Sequence, residues 1–177
     1  MRLQKGIIQS VVGTGEEGYW GDDGPANLAL IGEAYGCDFD QSDNLYISDG
    51  RNHTVRRIDR INWTITTVAG CGGQGYSGDG GPALLAELNN LYSLQVDTNG
   101  DIYIVDRLNA AIRKVDFETG IIRTVAGTGI LGYSGDGSLG VNAQLREPND
   151  CFLDGMGGLL IADIQDQRIR RLDLNTG

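Results

Sequence analysis

The stretch G-Y-S-G-D-G-G-P-A, from Gly75 to Ala83, decides the fold, because the chain contains it in three versions. The other two are G-Y-W-G-D-D-G-P-A, from Gly18 to Ala26, and G-Y-S-G-D-G-S-L-G, from Gly132 to Gly140. One slot of the three copies holds an aspartate, always 57 residues after the previous one: Asp22, Asp79 and Asp136. A fixed period of this length indicates a repeat architecture.

The same period runs through the rest of the chain. Three further slots hold one residue type in every copy: Asp49, Asp106 and Asp163; Arg56, Arg113 and Arg170; and Asp59, Asp116 and Asp173. The chain therefore divides into a short leader, Met1 to Gly6, and three units: Ile7 to Trp63, Thr64 to Gly120, and Ile121 to Gly177. We expect each unit to be one structural module, and residues 1–177 to form a single domain.

Composition favours an all-β protein and narrows the choice of partner. The 177 residues include 28 glycines, and each glycine inside a helix costs about 1 kcal/mol relative to alanine. The net charge of −10 opposes binding to the phosphate backbone of nucleic acids. Because no apolar run approaches the length of a membrane span, we also expect no membrane insertion.

Targeting signals leave the compartment open. No apolar segment follows Arg2 and Lys5, so we expect no secretory signal peptide in this chain, and an extracellular or a cytoplasmic location is compatible with it. Asn52 and Asn62 each begin an N-x-T glycosylation pattern, and we interpret both as chance matches.

Cysteine and histidine form no metal or disulfide pattern. Cys37, Cys71 and Cys151 are odd in number and lack C-x-x-C spacing, which argues against a zinc knuckle or a disulfide framework. Cys37 and Cys151 fill equivalent slots, so we interpret both as small core residues. His53, the single histidine, is expected to be a residue of a surface turn.

Unit two contains four short runs that favour β structure, separated by turn-forming residues. They are Leu91–Val96, Asp101–Val105, Ala111–Val115 and Ile121–Ala126. Runs of about five residues joined by short turns predict an antiparallel, four-stranded meander. Because every unit repeats this pattern at a strict period, the units are predicted to be blades of an all-β propeller.

Three blades are fewer than the roughly four to eight of a closed propeller. Ile7 to Val12 corresponds to Ile121–Ala126, the fourth strand of a blade, whereas the last unit stops before its own fourth strand. We therefore expect a two-fold dimer in which Ile7 to Val12 of each chain pairs beside Arg168–Asp173 of the other, giving six blades. The alternative is that the three blades are part of a longer chain.

The repeated motifs resemble the NHL repeat. They read V-A-G-x-G-x-x-G-Y-S-G-D-G-G-P-A, then D-x-x-G-x-[IL]-Y-I-x-D, then N-x-x-I-R-K-V-D, and versions of them recur in all three units. The resemblance implies a β-propeller, most often six-bladed, that usually acts as a binding or scaffolding module, with a minority of enzymes among related propellers. Because one fold hosts many functions, the resemblance transfers the fold and not an activity.

Glycines in the connector loops spell a motif that is also found in nucleotide-binding proteins. Gly13, Gly15 and Gly18 form G-x-G-x-x-G, and the pattern recurs in the other units. A dinucleotide site needs this motif to open a helix. Here only a short turn, Pro82 to Leu88, is a candidate helix, so we interpret the glycines as loop-forming residues.

The aspartates of the connector loops are interpreted as structural. Each lies beside glycines, where its carboxylate is expected to accept hydrogen bonds from its own loop and to cap the short helical turn that follows. A calcium site is the functional alternative, although calcium prefers about six to eight oxygen ligands. The three residues are Asp22, Asp79 and Asp136.

A second acidic residue is predicted to pair with an arginine in each unit. The aspartate ends the second strand and the arginine follows seven residues later, so a hairpin is expected to bring them together. Catalysis needs one asymmetric constellation, whereas three equivalent copies indicate a framework, so we predict no catalytic residue among them. The pairs are Asp49 and Arg56, Asp106 and Arg113, and Asp163 and Arg170.

Residues that differ between units mark the candidate ligand site. They precede or begin the inner strands, at the predicted mouth of the channel, and combine aromatic rings with carboxylates and amides. Such a surface suits a peptide, a glycan or a small polar ligand; rim residues without a ligand are the alternative. The residues are Glu33, Tyr35, Asp38, Asn90, Tyr92, Gln95, Glu147 and Asn149.

These observations favour a non-catalytic binding, scaffold or assembly module without a required cofactor. An enzyme is the alternative that we keep open. It would be a lyase or hydrolase using a divalent cation, such as calcium, held in the channel by Glu33, Asp38, Glu147 or Asn149.

Overall fold

The computed structural model describes residues 6–175, and its strands follow the 57-residue period. The first blade contains β1 (Ala34–Phe39), β2 (Leu45–Asp49), β3 (Thr54–Ile58) and β4 (Ile65–Ala69). The second contains β5 (Leu91–Val96), β6 (Ile102–Asp106), β7 (Ala111–Val115) and β8 (Ile122–Ala126). The third contains β9 (Pro148–Leu153), β10 (Gly158–Asp163) and β11 (Arg168–Asp173). All neighbouring strands within a blade are antiparallel.

The predicted all-β class and four-stranded blade are confirmed in the first two units, whereas the third sheet has three strands within the described residues. The predicted bounds of β5 and β7 agree with the structure, those of β6 are shifted by one residue at both ends, and β8 begins one residue later than predicted. Residues 7–12, predicted to be a strand, form no strand in this single chain; residues 7–10 are exposed and residues 11–12 are partly buried. They have no neighbouring strand with which to exchange backbone hydrogen bonds. Residues 1–5 of the predicted leader, Met1 to Gly6, and residues 176–177 of the third unit lie outside the described residues.

Among the described residues, helical structure is limited to 3-10 turns of three residues. Three of them precede the first strand of a blade: Ala26–Leu28, Ala83–Leu85 and Gly140–Asn142. Three follow a second strand: Gly50–Asn52, Arg107–Asn109 and Ile164–Asp166. Within residues 6–175, no helix has the length and apolar character needed to cross a membrane.

Two of the three buried apolar clusters lie between blades, and the third contains Ile47, Ile58 and Ile65 of the first blade. Tyr46 and Val55 of the first blade pack in one buried cluster with Leu94 and Ile104 of the second. Val105 and Ile112 of the second blade belong to the next cluster, which also contains Cys151, Ile161 and Leu172 of the third. Each blade therefore buries its two apolar faces only when a neighbour stands on both sides.

The two outer faces remain open in the single chain. Cys37 and Phe39 are exposed on the first blade, and Phe152 and Ile169 on the third. The prediction that Cys37 is a core residue is therefore wrong, while Cys151 is buried as predicted. The Cys151 thiol lies 4.0 Å from the Tyr103 carbonyl of the preceding blade, and burial raises its pKa. The described chain places no blade in front of Cys37.

Gly127, the residue after β8, lies close to the backbone of Ala110 and Ala111 at the start of β7. Gly127 has a φ of +95°, and a Cβ atom there would lie 2.2 Å from the Ala110 carbonyl oxygen. We expect Gly127→Ala to lower the free energy of unfolding by about 2–4 kcal/mol, because it combines left-handed strain with a clash against backbone. Urea denaturation followed by circular dichroism measures this loss.

Gly120→Ala is the matched control, because Gly120 is also left-handed, with a φ of +68°, but has no atom within 4 Å of the added Cβ. It should cost only about 1 kcal/mol. Equal losses in the two variants would contradict the packing argument.

Candidate functional site

The first strands of the three blades stand side by side, with β1 against β5 and β5 against β9. Their N-terminal ends place two tyrosines side by side, and an arginine from the turn after β6 extends the stack. The rings of Tyr35 and Tyr92 are stacked with centroids 4.1 Å apart and an interplanar angle of 19°. The Arg107 guanidinium lies 4.4 Å from the centroid of the Tyr92 ring. We call Tyr35, Tyr92 and Arg107 the mouth row.

Acidic and basic side chains close the end of the mouth row at the first blade. The Tyr35 hydroxyl donates a hydrogen bond to the Glu33 carboxylate, and this bond raises the pKa of Tyr35 to about 12. Arg51 lies 3.5 Å from Glu33 and 2.7 Å from Glu17. The exposed end of the row is therefore a network of ion pairs and not a free carboxylate.

A more buried ion pair closes the end at the third blade. Arg107 pairs with Glu147, and both side chains are mostly shielded from solvent. The Arg107 Nε also donates to the Asn149 Oδ1 at 3.3 Å. Because Arg107 belongs to the turn after β6, this pair ties the second blade to the start of β9.

The structure brings five of the eight candidate residues together at the mouth row: Glu33, Tyr35, Tyr92, Glu147 and Asn149. The other three have backbone or inter-blade roles. Asp38 accepts a hydrogen bond from the Val96 amide at 2.8 Å, and Gln95 donates to the Leu94 carbonyl. The Asn90 amide donates to the His53 Nδ1 at 3.0 Å.

His53 is better described as a joint between blades than as a surface turn residue. Its side chain is partly buried and accepts the hydrogen bond from Asn90 of the second blade. This burial lowers the pKa of His53. The turn was predicted correctly, but its contact with the next blade depends on how the blades stack.

Sequence reasoning missed Arg51 and Arg107, which complete the mouth row. Both lie in the 3-10 turn after a second strand. They occupy neighbouring positions of the repeat and not the same one, since the counterpart of Arg51 in unit two is Leu108. A search for residues at one period therefore passes over them. The available signal was a basic residue following the aspartate that ends β2 or β6.

The buried arginines of β3 and β7 connect each blade to its connector loop. Arg56 is fully buried and donates to Asp22 at 2.7 and 3.1 Å. Its Nη1 lies 3.5 Å from the Asp49 carboxylate. Arg113 repeats the arrangement with Asp79 at 2.7 and 3.1 Å and Asp106 at 3.2 Å.

The third unit departs from this pattern. Arg170 lies 2.6 Å from Asp136, but its Nη1 donates to the Gln144 carbonyl instead of Asp163. The Asp163 carboxylate accepts hydrogen bonds from the Arg146 and Glu147 amides. The predicted hairpin pair is therefore wrong for this unit.

The predicted helix-capping role of the loop aspartates is also wrong. The 3-10 turns begin after Pro25, Pro82 and Leu139, and no side chain caps them. The carboxylates point to the arginines of the third strands, because a buried guanidinium needs compensation for its charge more strongly than an exposed turn needs a cap.

Metal-binding potential is limited by these pairings. Asp22, Asp79 and Asp136 each accept hydrogen bonds from an arginine. Across residues 6–175, no three histidine, cysteine, aspartate or glutamate side chains are grouped closely enough to hold a metal ion.

The family model described as the teneurin NHL domain matches residues 35–134 of this chain. The chain belongs to the NHL-repeat family. The resemblance inferred from the repeated motifs is thereby confirmed. The match spans the first and second blades and the start of the third unit.

Two curated relatives place the domain in much larger proteins. Protein SUPPRESSOR OF QUENCHING 1, chloroplastic, from Arabidopsis thaliana is 31% identical over 140 residues, which cover 75% of this chain and 13% of that protein. Teneurin-1 from Homo sapiens is 36% identical over 99 residues, which cover 49% of this chain and 4% of that protein. The chain therefore spans only a small part of each relative.

Solved structures share the fold. A structural genomics protein of unknown function from Bacteroides thetaiotaomicron superposes with a TM-score of 0.65 and 28% identity, over 73% of this chain and 32% of that one. An auxiliary nutrient binding protein from the same species has a TM-score of 0.60 and 23% identity, covering 76% of this chain and 36% of that one. At 23% identity, the latter likeness concerns the fold alone.

The buried Asp106 predicts a specific dependence of stability on pH. Burial raises the pKa of Asp106 to about 6, whereas the unfolded chain keeps a value near 3.9. Between pH 4 and 6 the native state therefore holds more protons than the unfolded state, so stability falls as pH rises through this window. We expect Asp106 to contribute a fall of about 3 kcal/mol, which Asp106→Asn should remove.

Urea denaturation of both proteins from pH 4 to 7 measures this difference. Glu118→Gln, at an exposed turn, is the control and should keep the wild-type profile. The same profile for wild type and Asp106→Asn would contradict the assignment.

Proposed function

We propose that this chain is a non-catalytic β-propeller module for binding and assembly, completed to six blades by a second copy. One observation carries the assembly. Ile8 is 98% exposed in the single chain, whereas Ile65 and Ile122, at the same slot of the following units, are fully buried. An isoleucine that is buried in the other two units but exposed here is expected to pack against a blade that the single chain does not provide.

The third blade offers the matching groove. A cavity of about 510 Å³ lies beside β11, and Gly137 and Ser138 form part of its lining. In unit two, β8 occupies the corresponding position, where the Gly80 amide donates to the Ile122 carbonyl and the Ile122 amide donates to the Gly81 carbonyl. Ile8 of a second copy would make the same two bonds with Gly137 and Ser138.

A tyrosine of the third connector loop supports the same register. The Tyr19 hydroxyl lies 2.8 Å from the Thr67 hydroxyl, and the Tyr76 hydroxyl lies 2.9 Å from that of Thr124. Tyr133 instead donates to Asp136 at 2.6 Å. Ser10 is the counterpart of Thr124 in the leading segment, so a second copy would supply the missing hydroxyl.

The outer faces are complementary in character. Phe152 and Ile169 of the third blade are exposed, as are Cys37 and Phe39 of the first. A two-fold axis would pack the third blade of each copy against the first blade of the other, so both interfaces form together. This arrangement buries every exposed apolar face of the blades.

The oligomeric state tests the proposal. Light scattering at micromolar concentration should give the mass of two chains, and not the 19.0 kDa of one. Ile8→Asp should give monomers, because it places a charge where Ile65 and Ile122 are buried. Gln9→Asp is the matched control and should remain dimeric, since its counterparts Thr66 and Arg123 are partly or fully exposed.

Thiol reactivity provides a second measurement on the same samples. Cys37 and Cys71 are exposed in the single chain, and only Cys37 lies on the proposed interface. We expect one fast-reacting thiol per chain for the wild type and two for Ile8→Asp. A monomeric wild type with two fast-reacting thiols would contradict assembly by a second copy. The remaining explanation would then be that further blades of a longer chain complete the propeller.

We place ligand binding at the mouth row. Stacked aromatic rings with charged groups at both ends suit a peptide, a glycan or a small polar ligand. Among proteins with this fold, one is named as an auxiliary nutrient binding protein. The cation-dependent lyase or hydrolase has less support, because Glu33 and Glu147 bind arginines and Asp38 binds a backbone amide.

Selection of peptides from a phage-displayed library on the dimeric protein tests this site. We expect enriched peptides to bind Tyr35→Ala at least tenfold more weakly, because this change removes the exposed ring of the stack. Phe117→Ala, which removes an exposed ring on the turn after β7, should bind as the wild type does. Enriched peptides that bind all three proteins equally would contradict the location of the site.

A further inference from the structure

We infer that a pocket on the outer side of the first blade binds an organic cation, with Trp20 as its aromatic wall and Asp23 as its counter-charge. The pocket lies in the connector loop of unit one, away from the mouth row. This inference does not rest on ring closure or on the proposed ligand at the mouth row.

The repeats themselves single out this loop. Trp20 stands where the other two units have Ser77 and Ser134. Asp23 stands where they have glycines, at positions 80 and 137. Both departures flank the framework residue Asp22, so the loop keeps its structural contact while its outer surface changes.

The two residues line one cavity of about 480 Å³ together with Tyr19, Pro25 and Leu28. Trp20 is 66% exposed, yet its backbone is held by hydrogen bonds with Leu30 in both directions, at 3.2 and 3.4 Å. The backbone of Trp20 is therefore fixed, while its indole remains mostly exposed to solvent. A large exposed aromatic ring on a fixed backbone is suited to recognition.

Charge favours a cation over an anion. Arg56, at the base of the pocket, is compensated by Asp22 and Asp49 and lies 5.0 Å from the Tyr19 ring centroid. Asp23 is exposed, and no salt bridge involves it within residues 6–175. Its carboxylate lines the same cavity as the Trp20 indole, and a carboxylate together with an indole, the aromatic ring that attracts cations best, is the chemistry that recognises an ammonium group.

Asp23 holds this position against a backbone preference for glycine. Its φ is +64°, in the left-handed region that the other two units fill with glycine. Its amide donates to the Ile65 carbonyl at 2.8 Å, which fixes the conformation. Strain of this kind is often retained where the side chain has a function.

The pocket stays open when a propeller closes. In unit two, which has a blade on each side, the counterparts Tyr76 and Leu85 are still 42% and 71% exposed. The side of the connector loop that carries these two residues therefore stays accessible between neighbouring blades, although Ala83 at the end of the loop is buried. Ligand binding here can be measured on the monomeric Ile8→Asp variant as well as on the assembled protein.

Tryptophan fluorescence titration tests the proposal with three probes. Choline represents a quaternary ammonium ligand, Nα-acetyl-lysine amide represents a peptide side chain, and 3,3-dimethyl-1-butanol is the neutral isostere of choline. We expect saturable binding of at least one cation, with a Kd on the order of 1 mM for a single shallow contact, and none of the alcohol. Tighter binding of choline or of the lysine amide identifies the source of the cation.

The chain provides its own matched variants. Asp23→Gly and Trp20→Ser restore the residues of unit two and should fold normally, while weakening binding at least fivefold. Because Trp20→Ser removes the reporter, saturation-transfer NMR of the probe's protons measures that variant. The double substitution Ser77→Trp and Gly80→Asp should add a second site, since a Cβ on Gly80 meets no atom within 4 Å.

Three results would overturn the proposal. The alcohol could bind as tightly as choline, Asp23→Gly could bind cations like the wild type, or the folded double variant could keep the wild-type stoichiometry. The first result would show that binding depends on apolar contact and not on the positive charge. The other two would show that Trp20 and Asp23 do not form the site.

Discussion

A fully buried arginine is the constraint on which the rest of the structure depends. Arg113 lies inside the second blade with Asp106 on one side and Asp79 of the connector loop on the other. A guanidinium in an apolar interior is tolerated only with such compensation. The loop is therefore fixed to its blade by the need to neutralise this charge, and Arg56 does the same in the first blade.

Fixing the loop also fixes the way one blade meets the next. The 3-10 turn after the second and the third loop aspartate packs against the fourth strand of the preceding blade, and the Gly70 amide donates to the Ala83 carbonyl at this contact. Two of the three apolar clusters of the described residues then form between blades, and the third lies within the first blade and its connector loop. A unit of this kind therefore buries much of its apolar surface only against neighbouring units.

Function is expected where the units differ, because repeated residues are already used by the framework. The mouth row combines Tyr35 and Tyr92, whose slot holds Asn149 in the third unit, with Arg107, whose counterpart in unit one is Gly50. Trp20 and Asp23 are likewise departures confined to unit one. Two surfaces of different chemistry thus lie on one scaffold without disturbing the Asp–Arg contacts that hold it together.

The sequence by itself determined the period, the strands of a blade and the approach of Asp49 to Arg56, because these depend on alternation and turns within one unit. Only the tertiary structure decided the stacking of Arg107 on Tyr92, the exposure of Cys37 and the partner of Asp22. The contacts of Arg107 and Asp22 depend on how far a side chain reaches into another blade or loop, and the exposure of Cys37 depends on whether a blade stands in front of the first one. A repeat period carries no information about either.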